Sequence, residues 1–377
     1  MEKTIVLIRT TDFASDSRAK KTAVCLAKGG YKVIIFAWDR DLSKAPIEIF
    51  KFQKTEIIIY YFQRKCPNGS GLRSFSSLIK FMLWLKRKIK ELHKEIYAIH
   101  SCDLDTGIVC KYNAKKYKIP LIYDIYDYYI DSHNSIPKIL SSIIERLEIS
   151  IINYADVTIV CNEARINQIK KSRPKSIIVI HNTPDISFLE TVKKENIRFF
   201  NICYFGVLND GRLIEEITSN FPYNDKLTLD IGGIGPLANK IEELSKTNKN
   251  IKWWGKVPYE TVLNVQKNCN LLFATYIPTN PNHRYSAPNK VYEAMALGIP
   301  VIVCNGTGID ELVNSEGIGL SIDYDVNRFF DAVNFLKNNS KACEEMGEKG
   351  KLAYNNKYSW SLMEKKLLEL YGRVTKC

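Results

Sequence analysis

The chain has 377 residues, of which 45% are hydrophobic, and 54 Lys and Arg residues against 41 Asp and Glu residues give a formal net charge of +13. This length suits two α/β domains rather than one, and this hydrophobic content excludes a disordered chain. No apolar stretch reaches about eighteen residues, which argues against a membrane-spanning helix, and the positive charge favours an anionic partner such as nucleic acid, a membrane surface or a phosphate-bearing substrate.

The first half of the sequence alternates short apolar strand patterns with helix patterns, as a doubly wound parallel sheet requires. The predicted strands are Thr4–Ile8, Val33–Ala37, Ile57–Phe62, Tyr97–His100, Pro120–Tyr123, Val157–Val160 and Ile177–Ile180. The predicted helices span about residues 19–28, 72–94, 104–116, 139–153 and 163–170. His181–Asp185 and the charged stretch Lys193–Asn196 interrupt this alternation, and we therefore place the linker between two domains there.

Asp16 and Arg18 stand where the first predicted loop meets the first predicted helix. That loop holds no glycine, so the G-x-G-x-x-G fingerprint is absent, which argues against a nicotinamide dehydrogenase. The carboxyl edge of a parallel sheet is a natural place for side chains that touch a ligand. The alternative for the same residues is an N-capping aspartate followed by a solvated arginine, and the sequence leaves both interpretations open.

The longest predicted helix, Leu72–Lys94, combines an apolar stripe with a basic surface. The stripe consists of Phe75, Leu78, Phe81, Met82, Leu85, Ile89 and Leu92, while Ile79, Leu83 and Trp84 lie outside it among Lys and Arg residues. An exposed Trp and Leu among cations suit a helix that lies on an anionic bilayer. A packed helix with a solvated basic surface is the alternative, and RNA binding lacks support because no RNP-type or zinc-knuckle motif is present.

The second half repeats the alternation and adds glycine directly after several strands. Its predicted strands are Phe199–Phe205, Leu227–Ile231, Ile251–Trp254, Asn270–Ala274 and Val301–Val303, and its closing helices span about residues 329–337, 341–355 and 359–373. Gly206, Gly233, Gly235 and Gly255 follow the first three of these strands. Because glycine lets the backbone approach a ligand and direct N–H groups at phosphate, we expect these turns to share one sheet edge and to bind a phosphate-bearing ligand.

The stretch Ser286–Val303 predicts a loop, a short helix that ends at Gly298 and a buried strand. Lys290 and Glu293 lie one turn apart near the start of this helix, where backbone N–H groups and the helix dipole attract anions. A cation for phosphate and a carboxylate for ribose hydroxyls suit a nucleotide diphosphate, and we count Asn289 among the ligand contacts. The alternative is a surface ion pair between residues three apart, and the glycine turns in the same half favour the ligand.

Taken in order, several segments resemble a GT-B glycosyltransferase of the large retaining family 4 over nearly the whole chain. They are Asp16–Arg18 with residues 26–33, residues 100–107, Leu121–Asp127, Tyr204–Leu208, Pro288–Ile302, residues 308–311 and residues 317–319. The resemblance implies an α/β fold with two Rossmann-like doubly wound domains facing a cleft and a C-terminal helix that crosses back to the N-terminal domain. We expect an acceptor-side domain of residues 1–190, completed by residues 357–377, and a nucleotide-sugar donor-binding domain of residues 197–356.

The resemblance also implies roles for single residues. Glu293 would hold the ribose of the donor, Lys290 would face its diphosphate, and Arg212 would neutralise the leaving diphosphate. Two positions depart from the family pattern. Tyr285 stands where the first glutamate of the family's signature is expected, and Val207 stands where a second arginine often follows the glycine. Arg212 and Lys290 must therefore share the charge of the phosphate.

In the first domain the family's usual histidine is replaced by Tyr126, with Asp127 beside it. The catalytic candidates are therefore Arg212, Lys290, Tyr126 and Asp127. The donor-binding candidates are Gly206, Gly233, Gly235, Asn289, Lys290 and Glu293. We expect Asp16, Arg18, Asp103 and Asp105 to line the acceptor side together with Asp127.

A D-x-D motif of the kind that binds metal in glycosyltransferases of the other fold is present at Asp103–Asp105. Asp39–Asp41 and Asp323–Asp325 match the same pattern, which shows how unspecific it is. Since Asp103 directly precedes a predicted helix, we expect it to act as an N-cap. We predict metal-independent transfer, with no metal site and no cofactor besides the nucleotide-diphosphate sugar that serves as the donor substrate.

The function that the resemblance implies is retaining transfer of a sugar from a nucleotide-diphosphate sugar to a lipid-linked saccharide in surface polysaccharide biosynthesis. Ten cysteines scattered singly indicate reduced buried thiols in a cytosolic protein. Together with the absence of a signal-peptide pattern and the basic helix Leu72–Lys94, they favour a cytoplasmic enzyme at the inner face of the cell membrane, in peripheral contact with anionic lipid and without a specific nucleic-acid partner. Two alternatives remain: a GT-B sugar-nucleotide epimerase or phosphorylase, and a non-enzymatic basic protein that binds polyanions.

Overall fold

The computed structural model describes residues 3–66, 72–133, 136–187, 189, 199–223 and 226–374. The chain divides into two compact units: unit 1 comprises Met1–His181 with Met363–Cys377, and unit 2 comprises Asn182–Leu362. The predicted linker stretch Lys193–Asn196 and the predicted boundaries at residues 190 and 197 lie outside the described residues. Among the helices that the structure describes, none is both long and apolar enough to span a bilayer.

The described residues of unit 1 form an eight-stranded sheet. Its strands are β1 (Thr4–Ile8), β2 (Lys32–Asp39), β3 (Ile47–Phe52), β4 (Thr55–Gln63), β5 (Ile96–Cys102), β6 (Leu121–Ile125), β7 (Val157–Val160) and β8 (Ile177–Val179), in the order β3-β4-β2-β1-β5-β6-β7-β8. All neighbours pair in parallel except the antiparallel hairpin β3–β4. Since the strand order reverses at β1, its carboxyl end and that of β5 mark the switch point of the sheet, where open α/β sheets bind ligands.

The helices of unit 1 cover both faces of this sheet. They are α1 (Ser17–Lys28), α2 (Leu72–Leu92), α3 (Asp103–Tyr117), α4 (Tyr129–Ser132), α5 (Lys138–Tyr154) and α6 (Ala164–Gln168). Buried residues of α2, α3 and α5, among them Phe81, Leu104 and Ile151, share one hydrophobic core with Val6 and Phe36 of the sheet. These three helices therefore pack side by side against the same sheet face, α3 contacting both of the others.

The apolar stripe of α2 differs from the predicted one at two positions. Phe75, predicted to face the core, is 61% exposed, whereas Trp84, predicted to be exposed, packs against the core with its ring 5.7 Å from that of Phe36. The aromatic side chains of β2 and β4 leave room for an indole, and burying so large a ring outweighs burying a phenyl group near the start of the helix. The apolar residues that face outward on α2 are therefore Phe75, Ile79 and Leu83.

Unit 2 contains a six-stranded parallel sheet. Its strands are β9 (Phe200–Val207), β10 (Leu227–Ile234), β11 (Ile251–Trp253), β12 (Leu271–Ala274), β13 (Val301–Cys304) and β14 (Gly319–Ile322), in the order β11-β10-β9-β12-β13-β14. Its helices are α7 (Ile214–Ser219), α8 (Ala238–Thr247), α9 (Tyr259–Lys267), α10 (Asn289–Leu297), α11 (Ile309–Glu316), α12 (Val326–Asn338) and α13 (Ser340–Ala353). The strand order reverses between β9 and β12, so the carboxyl ends of these two strands mark the switch point of unit 2.

The last helix, α14 (Trp360–Arg373), returns the chain to unit 1, of which its residues from Met363 onward are part. There the His100 ring is hydrogen-bonded through Nδ1 to the Tyr371 hydroxyl at 2.6 Å, and both side chains are buried. The predicted architecture of two α/β domains built on parallel sheets, with a C-terminal helix that returns to the first domain, is confirmed.

Candidate functional site

Two cations lie at the switch point of unit 2, around the ring of Tyr204. The Lys290 Nζ atom, from the first turn of α10, is 4.2 Å from the centroid of that ring. Arg212, from the loop after β9, donates through Nη1 to the phenol oxygens of Tyr204 at 3.5 Å and of Tyr276 at 3.2 Å. The Arg212 guanidinium also stacks on the Tyr276 ring at 4.6 Å. We call Lys290, Arg212, Tyr204 and Tyr276 the cation cluster.

The two cations of the cation cluster form no ion pair with the acids that the structure describes. Among the described residues, no carboxylate lies within ion-pair distance of Lys290 or Arg212, and the buried Nε atom of Arg212 has no hydrogen-bond partner there. Burial by itself lowers the pKa of Lys290, but the electrostatic effects of Tyr204, Tyr276 and Glu293 outweigh burial, so the pKa is raised and the ammonium is charged at neutral pH. A buried charge without a partner is costly, and a bound anion is the natural way to offset that cost.

Glycine at position 206 leaves the space in which the amine of Lys290 lies. A Cβ atom on Gly206 would lie 2.8 Å from Lys290 Nζ. Gly206 pairs in register with Gly233 of β10, where a Cβ atom would lie 1.8 Å from the Gly206 carbonyl oxygen. Gly235 follows directly after β10. The predicted glycine turns thus end two neighbouring strands next to the cation cluster, as expected for a sheet edge that a phosphate can approach closely.

Glu293 lies on α10 but is not paired with Lys290. Its carboxylate oxygens accept hydrogen bonds at 2.9 Å from the Tyr259 hydroxyl and from Gln266 Nε2, both on α9. Glu293 and Lys290 are both buried, so the alternative of a surface ion pair is wrong. The remaining candidate of this helix, Asn289, is its half-buried first residue.

A second cluster lies at the switch point of unit 1, around the ring of Tyr126. The guanidinium carbons of Arg9 and Arg18 are each 4.1 Å from the centroid of this ring. The Tyr126 hydroxyl is buried and has no hydrogen-bond partner within the described part of the chain. Burial raises the pKa of Tyr126 well above its ordinary value, so the phenol stays protonated and can donate a hydrogen bond. We call Tyr126, Arg9 and Arg18 the tyrosine–arginine cluster.

Both arginines of this cluster form ion pairs with acids from neighbouring strands and loops. Arg9 contacts Asp16 and Asp103, each at 2.6 Å, and Arg18 forms an ion pair with Asp124. Arg18 is buried, so the alternative of a solvated arginine is wrong. The N-cap role considered as the alternative for Asp16 is confirmed, since its carboxylate accepts a hydrogen bond from the backbone N–H of Ala19 at 2.9 Å and caps α1. The same carboxylate also binds Arg9.

The predicted N-cap role of Asp103 is wrong. Asp103 is the first residue of α3, has a φ of +62°, and makes no capping bond to its own helix. Its carboxylate instead accepts from Arg9 and from the backbone N–H groups of Tyr126 at 2.8 Å and Asp127 at 3.3 Å. Burial raises the pKa of Asp103 to about 6, against the opposing effect of Arg9. Asp103 therefore fixes the loop that carries Tyr126 rather than the end of a helix.

The two remaining acids predicted for this side differ in their surroundings. Asp127 is exposed and lies 3.7 Å from Nη2 of the buried Arg165. Asp105 lies in the first turn of α3, and burial raises its pKa. The other predicted residues of this side are connected by direct contacts: Arg9 and backbone N–H groups link Asp16, Asp103, Tyr126 and Asp127, and Arg18 contacts the Tyr126 ring. Asp105 has no hydrogen bond or ion pair within the described residues.

Several central residues were not among the candidates from sequence. They are Arg9, His100, Asp124 and Tyr371 in unit 1 and Tyr204, Tyr276, Tyr259 and Gln266 in unit 2. Arg9 and Asp124 could have been found, because each stands at the carboxyl end of a predicted strand. The tyrosines carry no such signal, since an aromatic residue in or after an apolar strand is usually part of the core.

One group of side chains has the composition of a metal site. His100, Cys102 and Asp124 are buried, and their ligand atoms lie within 4.8 Å of one another. However, Asp124 already binds Arg18 and the Nε2 atom of His100, and Nδ1 of the same ring binds Tyr371. These residues therefore form a hydrogen-bond network from α14 to Arg18, and the donor set does not fit a metal ion.

Comparison with known families covers most of the chain. Residues 18–188 match the family described as Glycosyltransferase Family 4, and residues 193–353 match the family described as Glycosyl transferases group 1. No curated protein matches the sequence. The two matches fall in the first and second halves of the chain in the order that the sequence predicts.

Solved structures of the same fold are similar over the whole length. Sucrose-phosphate synthase from Thermosynechococcus elongatus has a TM-score of 0.80 at 16% identity, with 99% of each chain covered. HepE from Anabaena in complex with UDP-glucose has a TM-score of 0.70 at 14% identity, covering 98% of this chain and 100% of HepE. WaaG, a glycosyltransferase involved in lipopolysaccharide biosynthesis, has a TM-score of 0.65 at 14% identity, covering 96% of this chain and 98% of WaaG. At these identities the likeness shows the fold.

Proposed function

Because the chain is a glycosyltransferase of GT-B fold with a family 4 domain and a group 1 domain, we propose that it is a retaining enzyme that transfers a sugar from a nucleotide-diphosphate sugar to a lipid-linked saccharide. The product would be an intermediate of a surface polysaccharide. The observation that carries the proposal is the cation cluster, in which the buried Lys290 and the half-buried Arg212 stand beside glycine at a sheet switch point and form no ion pair with any carboxylate of the described residues.

The cation cluster suits the charge that develops during such a transfer. As the sugar becomes oxocarbenium-like, negative charge builds on the departing β-phosphate. Lys290 and Arg212 are already held in place by Tyr204 and Tyr276, so they can stabilise that charge without rearranging. Each such contact contributes on the order of a few kcal/mol to lowering the barrier. The nucleotide ribose would lie against Glu293, one helical turn beyond Lys290.

The tyrosine–arginine cluster supports the proposal that the leaving phosphate accepts the proton of the acceptor hydroxyl. The acids around Tyr126 are each near an arginine: Asp16 and Asp103 contact Arg9, Asp124 contacts Arg18, and Asp127 lies near Arg165. Because these carboxylates already interact with arginine side chains, their contacts hold the cluster together. The protonated Tyr126 hydroxyl would donate a hydrogen bond to a substrate oxygen, and the phosphate oxygen would take the proton.

The experiment that tests the proposal is a thermal-shift screen of UDP-, GDP- and ADP-sugars, followed by transfer assays with the donor that stabilises the protein most. Stabilisation grows with ligand excess over Kd, by about 2.7 kcal/mol at a hundredfold excess, so the true donor should be distinct. We expect release of the nucleoside diphosphate to depend on a saccharide acceptor and the product to keep the anomeric configuration of the donor. Conversion of the donor without an acceptor would show an epimerase instead, and an inverted product would contradict retention.

Transfer is expected to proceed without a divalent metal ion. Since Lys290 and Arg212 supply positive charge where the diphosphate would lie, a cation such as Mg²⁺ is not needed to neutralise it. Initial rates with and without EDTA should agree within experimental error, in buffers treated to remove metals. Loss of activity in EDTA with recovery on adding Mg²⁺ or Mn²⁺ would show that this expectation is wrong.

Replacing Tyr259 by Phe is expected to raise KM for the donor by about fivefold while kcat changes little, because one hydrogen bond to Glu293 is lost. A ribose contact is made equally in the ground state and the transition state, so it affects binding rather than the chemical step. Tyr223→Phe is the matched control, since Tyr223 is an exposed tyrosine of the same unit. An unchanged KM with a lowered melting temperature would assign Tyr259 a purely structural role.

A further inference from the structure

The first half of α5 exposes a row of large aliphatic side chains. Ile139 is 80% exposed, and Leu140, Ile143 and Leu147 are also exposed. Leu140, Ile143 and Leu147 follow Ile139 by one, four and eight positions, which places all four side chains on one side of the helix. The opposite side of α5 carries the buried Glu148, Ile151 and Ile152. Monomeric soluble proteins rarely expose several large aliphatic residues in one contiguous patch, so this row calls for a partner.

The row on α5 continues across the two neighbouring helices. α3 packs against both α2 and α5, and the three helices share one core beneath them. On the outer side α3 exposes Ile108 and Tyr112, and Lys86 of α2 lies over the Tyr112 ring at 4.9 Å. α2 adds its outward residues Phe75, Ile79 and Leu83. We call the exposed side of α2, α3 and α5 the outer helical face.

The charge on the outer helical face is strongly positive. Its exposed cations are Lys80, Lys86, Arg87 and Lys90 on α2, Lys115 and Lys116 on α3, and Lys138 and Arg146 on α5. The acids on the same helices are few and mostly engaged: Glu91 pairs with Lys88, and Glu145 pairs with Lys171. Cations therefore alternate with aliphatic side chains over the whole face.

We propose that the outer helical face docks on an anionic lipid bilayer, with the aliphatic residues of α5 and α2 entering the headgroup region and the surrounding Lys and Arg residues contacting lipid phosphates. Aliphatic groups with interspersed cations are what an interfacial helix presents to such a surface. A second copy of the chain would bring the same positive charge to the contact and would be repelled. Nucleic acid is the weaker candidate because most of the large exposed apolar residues of the face are aliphatic, whereas stacking of bases needs aromatic rings, of which the face exposes Phe75 and Tyr112.

The position of the face agrees with the proposed acceptor. α3 begins at Asp103, whose carboxylate holds the backbone of Tyr126 and Asp127. The exposed residues Ile108 and Tyr112 lie one to two turns farther along the same helix. A saccharide anchored in the bilayer would thus be presented beside the tyrosine–arginine cluster. This part of the inference rests on the proposed function, whereas bilayer docking itself does not.

Flotation with vesicles tests the docking. The wild-type chain should float with vesicles of phosphatidylglycerol and phosphatidylcholine and should stay at the bottom with pure phosphatidylcholine. Ile139→Glu/Ile143→Glu should abolish flotation, and Leu352→Glu, which changes an exposed leucine of unit 2, should not. Lys80→Gln/Arg146→Gln should weaken binding by roughly twentyfold, since each cation near an anionic surface contributes about fivefold, whereas Lys249→Gln/Lys341→Gln should leave binding unchanged.

Flotation that is equal for the α5 variant and the wild type would overturn the proposal, and so would flotation without a preference for anionic lipid. A dimer in size-exclusion chromatography with light scattering that Ile139→Glu/Ile143→Glu dissociates would instead assign the face to a second copy. Donor-dependent thermal stabilisation of the same variants separates the hypothesis of bilayer docking from the proposed function. It should match that of the wild type if only docking is lost, and its absence in every form would contradict the proposed function and leave the flotation result standing.

Discussion

Replacing Lys290 by Met is expected to lower kcat by roughly 10²–10³-fold, the usual effect of removing one preorganised group that stabilises transition-state charge. Methionine matches the length of the lysine stem, fits beside Gly206 and the Tyr204 ring, and removes the ammonium. Because Lys290 has no carboxylate partner in the described part of the chain, its loss leaves no unpaired acid behind. Folding should therefore be preserved, and steady-state kinetics with the screened donor, together with a melting curve, measure both effects.

The matched control is Lys249→Met, which changes an exposed lysine of the same unit and should leave kcat within error of the wild type. Arg212→Met should resemble Lys290→Met, and the double variant should lose less than the product of the two single losses if both cations act on one phosphate. A kcat for Lys290→Met within about threefold of the wild type would show that the cation cluster is not the site of charge development.

Replacing Arg18 by Met is expected to destabilise unit 1 by about 3–5 kcal/mol, because the buried Asp124 then loses its ion-pair partner. Hydrogen exchange of the β6 amides reports the free energy of opening in unit 1 separately from unit 2. The variant should exchange faster in β6, β5 and β1, whereas amides of β9 and β12 should be unaffected.

The comparison for this variant is Lys51→Met, which breaks an exposed ion pair with Glu56 and should cost about 1 kcal/mol or less. Adding Asp124→Asn to Arg18→Met should recover part of the loss, since the uncompensated charge is removed. If Arg18→Met were as stable as Lys51→Met, the ion pair with Asp124 would not be what holds the start of α1 to the carboxyl end of β6.

The fold could be predicted from the sequence because it depends on local patterns. Apolar strands followed by helix patterns specify a parallel sheet, and Gly298 and Pro300 mark the end of α10 without reference to the rest of the chain. The strand β3 was missed because it is an edge hairpin whose residues are partly or fully exposed, so it lacks the apolar run of a buried strand. The inward position of Trp84 could not be predicted, since it depends on aromatic rings of β2 and β4 across the core.

The candidate site could be predicted in its members but not in its contacts. Lys290 and Glu293 were predicted from their places near a helix start, and Arg212 was predicted from the resemblance to family 4 glycosyltransferases. Their partners Tyr204, Tyr276 and Tyr259 lie from 8 to 86 positions away, and no spacing rule connects them. The predicted N-cap role of Asp103 was wrong for the same reason, because the N–H groups that its carboxylate binds belong to Tyr126 and Asp127 and not to its own helix.

The paired glycines at the ends of β9 and β10 decide where this enzyme can change. A side chain on Gly233 would collide with the backbone of Gly206, and one on Gly206 would displace the Lys290 amine from its place. The next pair in register, Val207 and Ile234, is 45% and 55% exposed. Substitutions would thus be more disruptive at the pair Gly206 and Gly233 than at the neighbouring pair Val207 and Ile234. Sequence change at this sheet edge can therefore accumulate at Val207 and Ile234 while the backbone beside Lys290 stays in place.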